Sequence, residues 1–389
     1  MAQAESNRIR ALISEETAWA EVPAGPTMNE LRIRGPISLG AAKNLITSEL
    51  LQSSRNISSR VEGSQAARAR FGWELTWGPE MNLLFEQAFH SDFVVIDQTS
   101  LTIGADGTAK TFTRSAGSFV TDGVLVGHYV RIKGFVAAGN NGVFRVTAVT
   151  ALVLTVADPT SAMVTEAGTG NEEYHVNSLR NGTTKKSALI EMGYLDLSPQ
   201  VFASMRGMRC SQIDFNIAAQ SIVNGAVNFL GERLVPATAT VSGSITAHAG
   251  TTPANATANV ASFTKDGVTV TAIVREMAFS LNNSGRQLFG VGSKYAKEIN
   301  LGSANVSGTM AIHLADKTFL DDDVNHAAIR MDTVFRDENG NYSILSIPRL
   351  RVASDVNAQG LNTDVLQNLR FEAESGSGLY TIQLDRLAA

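Results

Sequence analysis

The sequence has very little of what secreted or membrane-bound proteins depend on. Its 389 residues contain a single cysteine, Cys210, so no intramolecular disulfide framework can form and no oxidising compartment is needed. We interpret Cys210 as a small buried hydrophobic residue. No apolar run approaches the roughly 20 residues of a membrane-spanning helix, and the N-terminal MAQAESNRIR lacks the apolar region of a signal peptide. The sequence therefore predicts no membrane insertion.

Charge is also scarce. Charged residues make up 18% of the chain and the net charge is −5, which argues against tight nucleic-acid binding over the whole surface. It leaves open a surface past which DNA moves without sticking. The hydrophobic fraction of 44% is ample for real cores, and the length favours two or three units.

Signatures of catalysis are missing too. The six histidines (His90, His128, His175, His248, His313 and His326) show no metal-ligand spacing. There is no GxSxG, no Walker sequence and no Cys/His pair, and Gly290-Val291-Gly292 lacks the third glycine of a dinucleotide loop. We therefore predict no enzymatic activity, no catalytic residue, no metal site and no cofactor.

Two acidic runs have simple interpretations. Asp321-Asp322-Asp323, near His326, is more typical of a solvated helix start than of a cation site. Asp337–Asn341 resembles part of a calcium loop but lacks the glutamate at the twelfth position. Because strand patterns flank this second run, it is interpreted as a hairpin turn.

What the chain does contain is strand patterning, most clearly in Ala66–His90. Phe71, Trp73 and Leu75 alternate there with polar residues, which predicts a strand with one apolar and one polar face. Gly78-Pro79 ends the strand. From Glu80 onwards apolar residues recur at helical spacing, so an amphipathic helix follows.

Residues 97–176 have a different texture. Short β-patterned runs are separated by Gly/Asn turns, of which Gly139–Gly142 (GNNG) is typical of a tight primed hairpin. This segment is predicted to be a small all-β domain of its own. Residues 236–267 are rich in Ala and Thr, which predicts a linker or a weakly packed arm.

The order of elements repeats along the chain. Asn305–Leu314 alternates as the opening strand does and is also followed by a helical stretch. The long polar segment Asn282–Ser303 precedes it, as Gly40–Val61 precedes the first copy. Leu195–Arg233 likewise matches Arg336–Ser375. Residues 97–176 have no counterpart in the second copy and are therefore interpreted as an insertion.

Together, Lys43–Gln65, the strand-then-helix RFGWELTWGPEMNLLFEQAF and the hairpin MRGMRCSQIDFNIAAQSIVNGAVNFLGER resemble the major tail tube proteins of bacteriophages with long, non-contractile tails of the siphovirus type. The resemblance implies a mainly β fold with two tail-tube-type β-sandwich or barrel domains, each with a flanking helix, plus the small inserted β domain. The first tube domain would comprise residues 1–96 and 177–235, and the second residues 268–389.

The same resemblance implies a structural virion protein that polymerises as stacked rings into the tail tube, the conduit for genome ejection. Family rings hold six tube domains, so the internal duplication favours homotrimers that form pseudo-hexamers. The implied partners are further copies of the chain, the tape measure protein and DNA transiently in the lumen, and the tail terminator and distal tail proteins at the two ends. The implied location is the virion, after assembly in the host cytoplasm.

Two sets of residues are candidates for these contacts. Polar positions of the alternating strands are predicted to line the lumen: Arg68, Arg70, Glu74, Thr76, Gln212, Asp214, Asn216, Asn228, Ser307, Thr309, His313, Arg349, Arg351, Asn368 and Arg370. Charged residues of the two long polar segments are predicted to reach the next ring: Lys43, Glu49, Arg55, Arg60, Arg286, Lys294 and Lys297.

Two other classes of function stay open at this point. A virion adhesin or carbohydrate-binding β protein decorating the tail predicts an exposed aromatic platform, whereas Trp73 and Trp77 lie in a core-like stripe. A hydrolase on a β scaffold predicts a carboxylate pair or a triad, for which the sequence offers no candidate.

Overall fold

The computed structural model describes residues 3–51, 53–158, 162–358, 360–361, 363–376 and 378–389. Strands account for 53% of the chain and helices for 7%, so the predicted mainly β fold is confirmed. After a short 3₁₀ turn at Ser6–Arg8, the chain builds four strands and one helix: β1 Ile9–Glu15, β2 Thr27–Leu31, β3 Ile33–Thr47, β4 Arg60–Glu74 and α1 Pro79–Phe89.

The next region forms short strands around its own core. Its elements are β5 Val94–Leu101, β6 Ile103–Asp106, β7 Thr111–Arg114, α2 Phe119–Asp122, β8 Tyr129–Lys133, a 3₁₀ turn at Ala138–Asn140, β9 Gly142–Val149, β10 Val153–Ala157 and β11 Glu172–Arg180. Its buried apolar residues, from Ile96 to Val176, form a cluster separate from the main core.

Two strand-rich stretches complete the chain. The first contains β12 Ala188–Tyr194, β13 Val201–Ala218, β14 Asn224–Gly231, β15 Arg233–Ala237 and β16 Ser244–Thr246. The second contains β17 Val260–Lys265, β18 Val268–Thr269, β19 Val274–Asn282, β20 Arg286–Leu288, β21 Glu298–Asn300, β22 Asn305–His313, α3 Thr318–Val324, β23 Ile329–Arg336, β24 Tyr342–Ala358, β25 Val365–Ala373 and β26 Gln383–Leu387.

In the described part of the chain, eight strands join side by side into one antiparallel sheet, which we call the inner sheet. Their order is β3–β4–β14–β13–β19–β22–β25–β24. We call residues 9–96 and 177–237 the first half and residues 260–389 the second half. Each half supplies four adjacent strands, and β13 and β19 join the two sets.

The two halves use their strands in the same way. In the first half, β13 is long enough to leave the inner sheet and enter an outer sheet, β2–β1–β12–β13–β15. In the second half, β24 does the same in β18–β17–β23–β24–β26. The order of strands therefore equates β3 with β19, β4 with β22, β14 with β25 and β13 with β24.

The segment 236–267, predicted to be a linker or arm, contains short stretches that pair with other strands. Strand β16 runs parallel to β2, and β17 pairs with β23 of the second outer sheet. Val260 and Phe263 of β17 pack against the main core. Partial burial of these two apolar residues ties the end of the segment to the second half, which its Ala/Thr-rich composition did not indicate.

The GNNG segment also differs from its prediction. Instead of a tight two-residue turn it contains the 3₁₀ turn Ala138–Asn140 between β8 and β9. Asn140 is fully buried; its side chain donates to Glu166 Oε2 at 2.8 Å and accepts from the Val164 amide at 3.0 Å. Long-range bonds of this kind override local turn preference. By contrast, Asp337–Asn341 is a hairpin turn between β23 and β24, as predicted.

Candidate functional surface

The first half presents a polar face along β4, β14 and β13. Arg70 lies opposite Asn228, and Asn228 lies opposite Gln212 on the far side of β14. Because directly opposed residues of antiparallel strands point to the same face, these side chains share one surface. The first-half candidates on this face, all exposed or half-buried, are Arg68, Arg70, Glu74, Gln212, Asp214, Asn216 and Asn228.

The second half continues the same surface. Thr309 of β22 lies opposite Arg370 of β25, and Arg351 of β24 lies opposite Glu372. Ser307, His313 and Asn368 occupy the same side by register. Arg349 lies just before the β24–β25 pairing, where it and Arg351 both bond to the Glu374 carboxylate, at 2.9 and 2.7 Å.

Thr76 is a correction to the predicted set. Strand β4 ends at Glu74, and both Leu75 and Thr76 beyond it are buried, at 6% and 3% exposure. The alternation that would have placed Thr76 on the polar face stops with the strand. The carbonyl of Thr76 accepts a hydrogen bond from Arg386 of β26 at 2.7 Å, which ties this corner to the interior.

Sequence reasoning missed strand β19, which lies at the centre of the surface. Ser280 lies opposite Asp214 on one side and Ser307 on the other, so it belongs to the same face. The signal was present, since VREMAFSLN alternates buried Met277, Phe279 and Leu281 with polar or small residues. Further members of the face by register are Asn224, Glu276, Asn282, Asp355 and Glu372.

The charge on this surface is mixed. Arginines and carboxylates share it: Arg34, Arg68, Arg70, Arg351 and Arg370 lie there with Glu74, Asp214, Glu276, Asp355 and Glu372. Serine, threonine and asparagine lie between them. Such a surface stays hydrated without forming the cationic stripe that would hold phosphates.

The opposite face of the inner sheet is a continuous apolar core. Trp73 is fully buried, and its ring lies edge-on to those of Phe85 of α1 and Phe215 of β13, with ring centroids 5.6 and 5.1 Å apart. Across the junction of the two halves, Phe215 stacks on Phe279 at 4.7 Å. Aromatic contacts of this kind add about 0.5–1.5 kcal/mol beyond area burial. The two halves therefore share one core beneath the polar surface.

Polar bonds complete the junction. The Asn283 side chain donates to the carbonyls of Ala88 and Cys210, at 2.9 and 3.1 Å. His90 Nε2 donates to the same Cys210 carbonyl at 2.9 Å. Burial lowers the pKa of His90 to about 4, helped by the nearby positive charge of Arg209, and outweighs the hydrogen bond. His90 is therefore neutral near pH 7.

The candidate residues of the two polar segments are all exposed. Lys43 and Arg60 lie on the paired arms of a long β3–β4 hairpin, so much of the predicted loop is strand. Glu49 and Arg55 lie in its connecting loop at 48–59, apart from residue 52, which is outside the described residues. Arg286, Lys294 and Lys297 lie in or between β20 and β21; of these, Lys294 Nζ bonds to Glu62 at 3.0 Å.

One group of carboxylates has metal-binding geometry. Glu15, Glu86 and Asp92 bring ligand atoms within 4.8 Å of one another. The Lys186 ammonium lies among them, however, 2.7 Å from Glu15 and 2.6 Å from Asp92. Burial alone would lower the pKa of Lys186, but these bonds outweigh it and raise the pKa. We therefore interpret the group as an ion-pair cluster.

The aspartates of α3 are less solvated than predicted. Asp322 pairs with Lys265 at 2.5 Å and is largely buried, and Asp323 accepts a hydrogen bond from the Ser354 amide at 2.9 Å. They lie within the helix, whose packing against β24 makes them structural. Asp321 alone, with Lys317 at 3.0 Å, stays at the surface.

The comparison with protein families gives the class of protein to which this chain belongs. The model of the phage tail tube protein family matches residues 6–373, so the chain belongs to that family. It is a structural component of a phage virion. No curated protein matches the chain. Among the described helices, none is long and apolar enough to cross a membrane.

Proposed function

We propose that three copies of this chain close into one ring of the tail tube, and that the polar face of the inner sheet lines its channel. The supporting observation is the inner sheet itself, which already joins two equivalent four-stranded sets through β13 and β19. Six such sets complete the ring. The tube then guides the genome through a long, non-contractile tail.

The edges of the inner sheet make closure geometrically simple. In the residues that the structure describes, β3 pairs only with β4, and β24 beyond Leu350 pairs only with β25. Open edges of this kind are templates for another strand. Because β24 is equivalent to β13 and β3 to β19, the β13–β19 junction is the internal copy of a β24–β3 junction between neighbours.

That equivalence fixes a register. Within the chain, Gln212 lies opposite Asn282 and Asn216 lies opposite Ala278. The pairings with β14 and β25 make Ala353 the equivalent of Gln212, and the pairings with β22 and β4 make Ala42 the equivalent of Asn282. Ala353 should therefore lie opposite Ala42 of the next copy. The same equivalences set Asn357 opposite Ser38.

The resulting dimensions suit a DNA conduit. Three eight-stranded inner sheets give 24 strands around the ring. At about 4.8 Å per strand they span roughly 115 Å, which makes a ring about 37 Å across before strand tilt widens it. The mixed polar face would let a DNA duplex and, earlier, the tape measure protein pass without tight binding. Terminator and distal tail proteins would cap the two ends.

Stacking of rings is assigned to the two polar segments. The β3–β4 hairpin exposes several large apolar side chains, which need a partner in the assembled tube: Leu45, Ile46, Leu50, Leu51, Ile57 and Val61. The β20–β21 segment exposes Leu288, Phe289 and Val291. The charged residues Lys43, Glu49, Arg55, Arg60, Arg286 and Lys297 would flank these contacts.

The proposed domain layout follows the sheets. The first tube domain comprises residues up to 96 and 177–237, and the second begins at β17 rather than at residue 268. Residues 97–176 form the inserted domain, with its own core. Strand β11 joins the second outer sheet through β26, which favours an insert on the outside of the tube. Assembly would take place in the host cytoplasm.

Cysteine cross-linking tests the ring. A chain carrying Ala42→Cys and Ala353→Cys should form disulfides between copies in purified tubes, and the non-reducing gel ladder should end at the trimer. The Gln212→Cys/Asn282→Cys pair is the matched intrachain control. Native Cys210 is fully buried and does not compete. Ala42→Cys with Ser354→Cys, whose side chain lies on the other face, should not cross-link.

Two outcomes would overturn the proposal. One is an intrachain control that closes while the Ala42/Ala353 pair stays reduced in tubes; the other is a ladder that ends at six copies. Mass measurement of isolated rings gives a second count that needs no substitution. Removing residues 48–59 should leave rings but abolish long tubes, and normal polymerisation of that variant would exclude the hairpin from stacking.

A further inference from the structure

Equivalent corners of the two halves are covered differently. Beyond β4, the Leu75 amide donates to the Val223 carbonyl at 2.9 Å, and beyond β22 the Leu314 amide donates to the Val365 carbonyl at 3.1 Å. The same main-chain bond thus closes both corners. Yet Leu75 and Val223 are 6% and 1% exposed, whereas Leu314 and Val365 are 38% and 40% exposed. Among the residues that the structure describes, only the first corner has such a cover.

The cover of the first corner is the segment leading into the second half. Ala254 adds to it as a further strand would, since its amide donates to the Leu75 carbonyl and its carbonyl accepts from the Val223 amide, both at 2.8 Å. Thr251 Oγ1 donates to the Trp77 carbonyl at 2.9 Å. Six residues after Ala254 the chain enters β17.

The equivalent segment of the first half is the one that leads into β1. Just before β1, the Arg8 carbonyl accepts a hydrogen bond from the Leu195 amide at 3.1 Å. Just before β17, the Asn259 carbonyl accepts the equivalent bond from the Arg336 amide at 2.7 Å. Counting back from these matched carbonyls equates Ala254–Ala256 with Gln3–Glu5. In the single chain, Gln3–Glu5 is exposed.

We propose that Gln3–Glu5 of a neighbouring copy covers Leu314 and Val365, as Ala254–Ala256 covers Leu75 and Val223 within the chain. This rests on the proposed ring, in which the first half of the next copy follows the second half of this one. The exposed segment and the exposed corner are then the two sides of one contact. Each junction between copies gains main-chain bonds in addition to the β24–β3 pairing.

A second cysteine pair tests this contact separately from the ring. Asn255 forms an antiparallel bridge with Ile222, so the equivalent pair between copies is Ala4 with Asp364, whose carboxylate is 80% exposed. Ala4→Cys with Asp364→Cys should give dimers and trimers in purified tubes. Ile222→Cys with Asn255→Cys is the intrachain control.

The outcomes separate the two proposals. If Ala42/Ala353 cross-links and Ala4/Asp364 does not, the ring stands and the terminal contact is wrong. If neither pair cross-links while both intrachain controls close, the ring itself is wrong. Hydrogen exchange gives a measurement without cysteines: the Val365 amide should gain protection on assembly, and a chain lacking residues 2–5 should lose that gain. Equal protection in both chains would overturn the contact.

Discussion

The two halves of the chain form the same order of strands around different interiors. In the first half, α1 has eleven residues and Trp73 fills the space beneath it. In the second half, α3 has seven residues, and the position equivalent to Trp73 is Ile312. The difference teaches that strand order is set by main-chain pairing and the alternation of apolar residues, while core volume is adjusted by helix length and side-chain size.

Cavity-forming substitutions should have the largest effect on the free energy of unfolding, and this effect should differ between the two halves. Trp73→Ala removes a fully buried ring with two aromatic neighbours and should lower the free energy of unfolding by about 3–5 kcal/mol. Ile312→Ala, its matched change in the second half, should cost roughly 2–4 kcal/mol. Urea unfolding of the unassembled chain measures both. A larger loss for Ile312→Ala would contradict the assignment of the larger interior to the first half.

The next largest difference is expected when the equivalent arginines Arg209 and Arg351 are each replaced by alanine. Arg209 is almost fully buried and bonds to Glu298 Oε1 at 2.9 Å and to the Ile299 carbonyl. Arg351 is more exposed and bonds to Glu374 at 2.7 Å. Arg209→Ala should cost about 2–3 kcal/mol, and Arg351→Ala less than about 1 kcal/mol. Equal midpoints for the two variants in urea would refute this ranking.

The free energy of unfolding should depend on pH in opposite senses through His90 of the first half and Asp385 of the second half. In the folded chain the pKa of His90 is lowered from 6.5 to about 4, so His90 stays neutral where the unfolded chain takes up a proton. The free energy of unfolding therefore falls as pH falls from 6.5 to 4. Burial raises the pKa of Asp385 from 3.8 to about 7, so the folded state holds a proton that the unfolded chain has lost, and stability falls as pH rises from 4 to 7.

Single variants should therefore tilt the stability profile in opposite directions. His90→Asn should make stability fall more steeply with rising pH between 4.5 and 6.5, by up to about 1.4 kcal/mol per pH unit. Asp385→Asn should make it rise with pH over the same range. Urea midpoints at four pH values measure both slopes. Parallel profiles for wild type and both variants would show that neither group titrates as described.

Substitutions on the polar surface should have the smallest effect. Arg68→Gln and the change at its equivalent, Ser307→Gln, alter exposed or half-buried side chains; each should move the unfolding free energy by less than about 0.5 kcal/mol. Thr76→Val serves as the contrast, because Thr76 is buried. Thermal melting of the three chains checks this, and a large loss for Arg68→Gln would mean that this face is part of the folded core.

Much of the local structure was predictable, and particular residues show why. The apolar positions Phe71, Trp73 and Leu75 predicted a strand ending before Gly78-Pro79, and the structure places β4 and α1 there. Alternation alone places Thr76 on the polar face, but the strand ends at Glu74 and Thr76 is buried. Strand β19 alternates clearly only from Met277 onwards, and the long polar segment that directly follows masks this short signal.

The sequence by itself determined the mainly β class and the strand-to-helix order at β4 and α1, and it indicated the polar side of strands that alternate clearly, because side-chain periodicity is a property of consecutive residues. Only the tertiary structure decided that β13 pairs with β19, that β17 belongs to the second outer sheet, and that Leu75 is covered while Leu314 is exposed. These contacts join segments tens of residues apart. Their formation depends on the burial of both partners together, which no local pattern encodes.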